Sequence, residues 1–333
     1  MTEFWGDLAM LRTTIIVVSI IVVALGVLFV SGPRVSTDTT ITFDATAIGD
    51  NPQDWLAANE SQVPALRPEL AKEILWAFPS SKARTPLSIV YVHGFSASKG
   101  EIRPVPDEVA NSFGANIFYT RLTGHGQDSA AMGTATLKDW VNDVAEALAI
   151  GRAIGEKVVV IATSTGAPLV TFALTNPALS EAVAGVVFVS PNYAIQASGS
   201  WLLTMPWGLQ LAELITGKER SVTPAHDMHA LYWTTTYPVA ALPPMAAAAE
   251  LGRNTAVENI TVPALFIFSD ADKVVRPEVA RQVWERWEAA HEMMVVESSG
   301  DGSNHVIAGD AFSPEMNALV SGRIMEWIKS LQK

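Results

Sequence analysis

The stretch that most constrains this chain is Val158-Val159-Val160-Ile161-Ala162, followed directly by Thr163-Ser164-Thr165-Gly166. Consecutive β-branched residues call for a strand buried on both faces, which only a covered sheet provides. The residues after it are small and polar, and a helix-compatible run follows. A sharp strand-to-helix turn of this kind lifts a serine hydroxyl clear of the sheet, the geometry of a nucleophile elbow. The backbone there passes close to its neighbours, so small residues are needed two before and two after the serine. They are Ala162 and Gly166. Ala162 stands where the common pattern has glycine, and the expectation is that a methyl group fits.

The rest of the chain repeats the alternation. Leu87–Val92, Ala115–Leu122, Val183–Val189, Ala264–Phe268 and Met293–Val296 read as strands. Ile74–Ala77 reads as the beginning of another, and Thr40–Phe43 as a short one. Thr136–Ile150 has apolar residues at helical spacing behind a Thr136/Asp139 capping pattern. Helices are also expected between Trp55 and Ala77, around Glu278–Glu288 and around Glu315–Leu331. Apolar strands separated by helices indicate an α/β fold with a doubly wound, mostly parallel sheet. Residues 191–262 break the pattern. They carry Trp201, Met205, Trp207, Trp233 and Tyr237, several prolines and an alanine-rich helix near Met245–Leu251, and no strand pattern. They read as a helical cap inserted into the fold.

Thr13–Val30 contains no charged residue, and Arg12 and Arg34 lie just outside it. Its length is near the minimum of about 18 residues for a membrane-spanning helix, and longer than the apolar region of a secretory signal. Val30-Ser31-Gly32 is also a poor cleavage site, so an uncleaved transmembrane anchor is favoured. One flanking arginine on each side fixes orientation only weakly. The main domain is expected on the outer, extracytoplasmic side. A formal charge of −12 argues against a nucleic-acid surface and against electrostatic attachment to anionic lipid. The absence of cysteine excludes disulfides, thiolate metal sites and a cysteine nucleophile.

Acyl transfer by a serine needs a base for its proton, a group that orients the base, and N–H donors for the oxyanion. Downstream of Ser164, the segment Ser269-Asp270-Ala271-Asp272-Lys273-Val274-Val275 places two acids just past a strand end. That edge is where sites form on doubly wound sheets. Ser303-Asn304-His305-Val306 places a histidine in a polar loop between the last strand and the last helix. The order serine, acid, histidine suits a triad on this fold class.

With His93-Gly94-Phe95 and Gly124-His125-Gly126 added, the sequence resembles the α/β-hydrolase superfamily over roughly residues 75–333, in particular capped serine carboxylesterases and monoacylglycerol-lipase-like enzymes. The resemblance implies Ser164 as nucleophile, His305 as base and Asp272, from its position before two apolar residues, as the orienting acid. It implies the backbone N–H groups of Phe95 and Thr165 as the oxyanion hole, an ester or lipid substrate, and no cofactor or metal. The resemblance does not reach the residues before 75; with the readings above, the expected layout is an anchor at 1–34, a linker with short helices at 35–74, a core at 75–190 and 263–333, and a helical cap at 191–262.

Each residue has a structural alternative. Ser164 could be a turn hydroxyl and His305 a surface histidine. Asp270 is the alternative orienting acid and Asp301 a weaker one, while His291 competes with His305 from a strand start. His93 and His125 read as loop-shaping residues, and the spacing of His226 and His229 is weak evidence for a metal. The cap aromatics serve packing, an apolar pocket, or both. At the level of function, an amide, thioester or carbon–carbon bond could replace the ester. A non-catalytic, membrane-tethered binding protein is the other alternative. An aspartate in place of Ser164 would have marked dehalogenase or epoxide-hydrolase chemistry.

Overall fold

Nine strands are β1 (Glu73–Leu75), β2 (Thr85–Val92), β3 (Asn116–Tyr119), β4 (Gly155–Thr163), β5 (Val183–Val189), β6 (Glu219–Ser221), β7 (Thr236–Pro238), β8 (Ala264–Phe268) and β9 (His291–Val295) in the computed structural model, which describes residues 2–331. Seven form one sheet in the order β1-β3-β2-β4-β5-β8-β9. Only β1 runs antiparallel to its neighbour; the other pairings are parallel. The protein thus has the doubly wound α/β architecture that the alternation called for.

The pleat sends alternate residues of β4 to opposite faces. Val158, Val160 and Ala162 join one core, with Trp140, Val144 and Leu148 of the helix Leu137–Ile154. Val159 and Ile161 join the other, with Val105 and Val109 of the helix Val105–Ser112 and Ile324 and Trp327 of the helix Asn317–Ser330. Both faces are covered, which is why the strand carries no polar alternation. The helix Leu137–Ile154 starts at a reciprocal capping box. The Asp139 N–H donates to Thr136 Oγ1 at 3.2 Å, and the Thr136 N–H donates to Asp139 Oδ2 at 2.8 Å.

Two expectations are corrected. Thr40–Phe43 is not a strand. Its amides at Thr42 and Phe43 donate to the Asn142 side-chain oxygen at 2.7 and 2.8 Å, and Asn142 Nδ2 donates back to the Thr40 carbonyl at 3.0 Å. A single amide side chain on a helix satisfies the backbone where a neighbouring strand would have been needed. Between β5 and β8 the segment is not free of strands either, because β6 and β7 pair antiparallel, Arg220 opposite Tyr237. Three-residue strands are too short to show a period. The other regular elements of that segment are helices, among them Ser200–Thr204, Gly208–Thr216, Asp227–Tyr232 and Leu242–Asn254. It reaches the sheet's carboxyl edge, where the Thr234 N–H donates to the Ser96 carbonyl at 2.7 Å.

The residues ahead of β1 are bonded to the core. The helix Pro52–Glu60 ends in a buried carboxylate that takes two donors from Arg121, at 2.7 and 3.0 Å, and the Lys72 N–H at 2.8 Å. Burial alone would raise the Glu60 pKa, but Arg121 outweighs it and holds the group below its usual value. At the N-terminus, the helix Thr2–Val30 includes Met10–Val30, a stretch long and apolar enough to cross a membrane, none of it buried in the protein. Removing the Glu60 carboxylate leaves Arg121 as an uncompensated buried charge, so Glu60→Ala is expected to destabilise the chain by about 3 kcal/mol. The urea midpoint of the detergent-solubilised full-length protein checks this.

Candidate active site

The turn after β4 is held in a conformation that L-residues rarely adopt. Ser164 has φ 47°, in the left-handed region, and its N–H donates to the Val189 carbonyl at 2.9 Å. Its carbonyl accepts from the Ala167 and Asn192 N–H groups at 3.0 and 3.1 Å. Bonds on both sides of the residue over-determine the backbone and keep a conformation that costs about 1–3 kcal/mol. Gly166 opens the following helix because a Cβ there would lie 2.5 Å from the Val92 carbonyl. Ala162 is fully buried between Val92 and Phe188 of the flanking strands, so the methyl has a place in the core.

The structure brings Ser164, His305 and Asp272 together and leaves Asp270 out. His305 Nε2 lies 3.0 Å from Ser164 Oγ, and His305 Nδ1 lies 2.8 Å from Asp272 Oδ2. The tautomer that satisfies both contacts carries its hydrogen on Nδ1, so Nε2 accepts from the serine hydroxyl. The other Asp272 oxygen accepts the Val274 and Val275 N–H groups at 2.7 and 2.9 Å, which fixes the carboxylate plane. Asp270 points outward into an ion pair with Arg281 at 2.8 Å. Burial disfavours the charged form of His305, but the Asp272 hydrogen bond and charge, with Glu101 and Asp301 farther off, outweigh it and raise the imidazole pKa.

Three further residues support the site: Asp301, which the sequence offered as a weaker orienting acid, and Glu101 and Ser190, which it did not single out. Asp301 does not touch the His305 ring; one of its oxygens accepts the His305 and Val306 N–H groups at 2.9 and 3.0 Å. Burial works against its charge, yet donors from Ser303, Val306 and His305 bring its pKa below the usual carboxylate value. Ser190, at the end of β5, donates to the His305 carbonyl at 2.6 Å. Glu101 is buried behind the loop after β2, where one oxygen accepts the Gly94 N–H at 2.7 Å and the Tyr91 hydroxyl at 2.8 Å. Burial pushes the Glu101 carboxyl up against the pull of these two donors. Glu101 and Ser190 meet groups that the fold brings to them, so no local spacing marks them, whereas Asp301 closes its own loop on N–H groups two to five residues ahead.

The same loop holds Phe95. The His93 ring bridges the Gly94 carbonyl at 2.8 Å and the Leu122 N–H at 3.0 Å, and His125 Nε2 accepts the Ser96 N–H at 3.0 Å. Both rings are buried and therefore favour the neutral form, His93 down to about 4. They shape the turn through hydrogen bonds. Neither the Phe95 N–H nor the Thr165 N–H has an acceptor among the described residues. Beside them lies a cavity of about 520 Å³, lined mainly by apolar residues including Phe95, Leu202, Leu203, Tyr237, Leu242 and Met245. Met245 connects it toward the elbow, its sulfur lying 3.4 Å from Asn192 Nδ2, which in turn donates to Thr165 Oγ1 at 3.3 Å. His226 and His229 pack on Phe312 and have no contact with Ser164, Asp272 or the His305 ring among the described residues, and His291 stands at the start of β9 against Trp284. Among the described residues no cluster of three or more His, Asp or Glu side chains is arranged to hold a metal.

Comparison with solved structures finds the same fold in lipolytic enzymes. One described with the metagenome-derived enzymes LipS and LipT has 18% identity and a TM-score of 0.64, covering 80% of this chain and 99% of its own. A monoacylglycerol lipase of Paleococcus ferrophilus has 18% identity and a TM-score of 0.57, with 79% and 99% covered. A soluble variant of the Saccharomyces cerevisiae monoglyceride lipase has 11% identity and a TM-score of 0.60, with 78% and 91% covered. At such identities the likeness is one of fold. No curated protein matches the sequence. The model of the alpha/beta hydrolase family, however, matches residues 89–312, more than half of the chain, and with the sheet order and the elbow already described it makes this protein a member of that family.

Proposed function

We propose that this protein is a membrane-tethered serine hydrolase of carboxylic esters, acting on lipophilic, acylglycerol-like substrates. The observation that carries the reading is the unbroken chain from Ser164 Oγ to His305 to Asp272, beside two unengaged backbone N–H groups. The apolar cavity and the lipolytic fold neighbours support the substrate class. The length of Met10–Val30 supports an uncleaved anchor, with the domain on the outer side of the membrane.

In this mechanism Ser164 Oγ attacks the acyl carbon as its proton passes to His305 Nε2. The resulting oxyanion is held by the Phe95 and Thr165 N–H groups, donors fixed before charge develops. Collapse of the tetrahedral intermediate expels the alcohol, which takes the proton from His305 and leaves the acyl group on Ser164. Water then attacks the acyl-enzyme with His305 as base, and the acid departs as the serine hydroxyl is restored. Asp272 holds the imidazole in the required tautomer and stabilises the imidazolium. The steps call on no metal or organic cofactor.

A fluorophosphonate probe should label the full-length protein, and Ser164→Ala should abolish the labelling and lower kcat on p-nitrophenyl esters by about 10⁴-fold or more. Absence of both labelling and hydrolysis over short to long acyl chains would falsify the reading. Of the two neighbouring acids, Asp272→Asn is expected to cost about 10³–10⁴-fold in kcat. Asp270→Asn, which breaks only an exposed ion pair, should leave kcat within about twofold. The base works as neutral imidazole, and its pKa is raised. Activity should therefore fall with decreasing pH through a midpoint above the ordinary histidine value of about 6.5. A kcat/KM profile checks this, and the residual activity of Asp272→Asn should have its acid limb at lower pH.

A further inference from the structure

The end of the apolar N-terminal helix is locked to the segment between β5 and β8. Trp207 has φ 64°, an outlier for so bulky a residue, and it bonds this helix end twice. Its indole N–H donates to the Leu28 carbonyl at 3.2 Å, and its backbone N–H donates to the Pro33 carbonyl at 2.8 Å. Leu28 lies in the last turn, where helix carbonyls lack intrahelical partners. Gly32 lets the two parts meet, since a Cβ there would lie 2.0 Å from the indole nitrogen.

From this lock an apolar surface runs outward. Trp201, Leu214 and Ile215 are exposed at 64%, 82% and 70%. Leu214 lies in the helix Gly208–Thr216 that Trp207 precedes, two turns on and roughly 10 Å along its axis. Glu213 is the only charged residue in Trp201–Thr216. Ile215 is exposed on this surface and also lines the cavity beside Phe95, so one apolar path joins the outer surface to that cavity.

We infer that Trp201–Thr216 is a second contact with the lipid bilayer, lying in the interface beside the transmembrane helix, and that the ester substrate passes from the bilayer to the cavity along it. Exposed Trp, Leu and Ile beside a membrane-spanning segment suit the interfacial zone, where an apolar body and an indole N–H both find partners. The occupant is lipid because the surface continues from a helix that itself requires lipid. The contact is apolar, so phosphatidylcholine is sufficient and added salt should not release it. The inference deepens the proposed function by giving its substrate a route, and it rests on Met10–Val30 lying in a bilayer.

The chain has no cysteine, so one introduced thiol is a unique label. Full-length Val22→Cys, Leu214→Cys and Lys329→Cys proteins would carry an environment-sensitive fluorophore in phosphatidylcholine vesicles containing spin-labelled lipid. Lys329 lies near the amino edge of the sheet, where its neighbour Leu331 packs on Gly185 at the start of β5. Labels at Val22 and Leu214 should be quenched and blue-shifted, and the label at Lys329 should be neither. A Leu214 label that behaves like the Lys329 label while Val22 is quenched overturns the second contact. An unquenched Val22 label overturns the membrane placement and leaves ester hydrolysis standing. In a second measurement, Trp201→Gln/Leu214→Gln should lose activity on an ester dissolved in the vesicles and keep its kcat/KM on a short water-soluble ester. Equal loss on both esters, or loss on neither, counts against the route.

Discussion

The site depends on one backbone residue held where it would not rest by itself. Ser164 occupies the left-handed region because β4 and β5 pair in register up to the turn, so that Val189 and Asn192 hold the serine backbone from one side and Ala167 from the other. That conformation turns the side chain out of the sheet and toward His305. It also requires the helix after the turn to start almost in contact with β2, which only Gly166 permits. The sheet therefore does more than support the site. Its strand spacing and register set where the hydroxyl lies relative to the imidazole.

Around this turn the protein concentrates buried polar groups, and each is matched by donors. Asp272 is held by two N–H groups and the imidazole, Asp301 by two N–H groups of the histidine loop together with Ser303, and Glu101 by the Gly94 N–H of the loop that carries Phe95 and the Tyr91 hydroxyl of β2. A buried charge left alone would neutralise or distort its surroundings. Matched charges instead fix the loops that carry His305 and Phe95. Three carboxylates thus act on geometry at three places, and only Asp272 touches the histidine ring.

Much of the fold was legible because burial on both faces leaves a plain mark in sequence: runs such as Val158–Ala162 and Ala264–Phe268 cannot alternate in polarity when both sides are covered. Ser164, Asp272 and His305 could be singled out because the order of elements places their loops at one sheet edge. Asp270 and Asp272 were separable only through the family pattern, since the difference between them is which one turns inward. Asp301 was read only as a weaker orienting acid, and Glu101 and Ser190 were missed for a common reason. Each meets backbone groups fixed by tertiary structure, and nothing in their neighbouring residues encodes that. Thr40–Phe43 shows the converse, a stretch with strand propensity whose amides found the Asn142 side chain and needed no strand.

That same Asn142 changes how the N-terminal helix is joined to the domain. A free linker from Gly32 to Phe43 would behave as a tether with a root-mean-square reach of about 20 Å, and the domain would tumble on it. Here the linker is fastened at Asn142 and again where Lys138 meets Asp38, and its beginning is bonded to Trp207. The chain is closer to a bracket than to a leash. On the function proposed above, an enzyme mounted in this way searches for substrate in two dimensions, and the concentration that governs its rate is the mole fraction of ester in the membrane rather than its molarity in water.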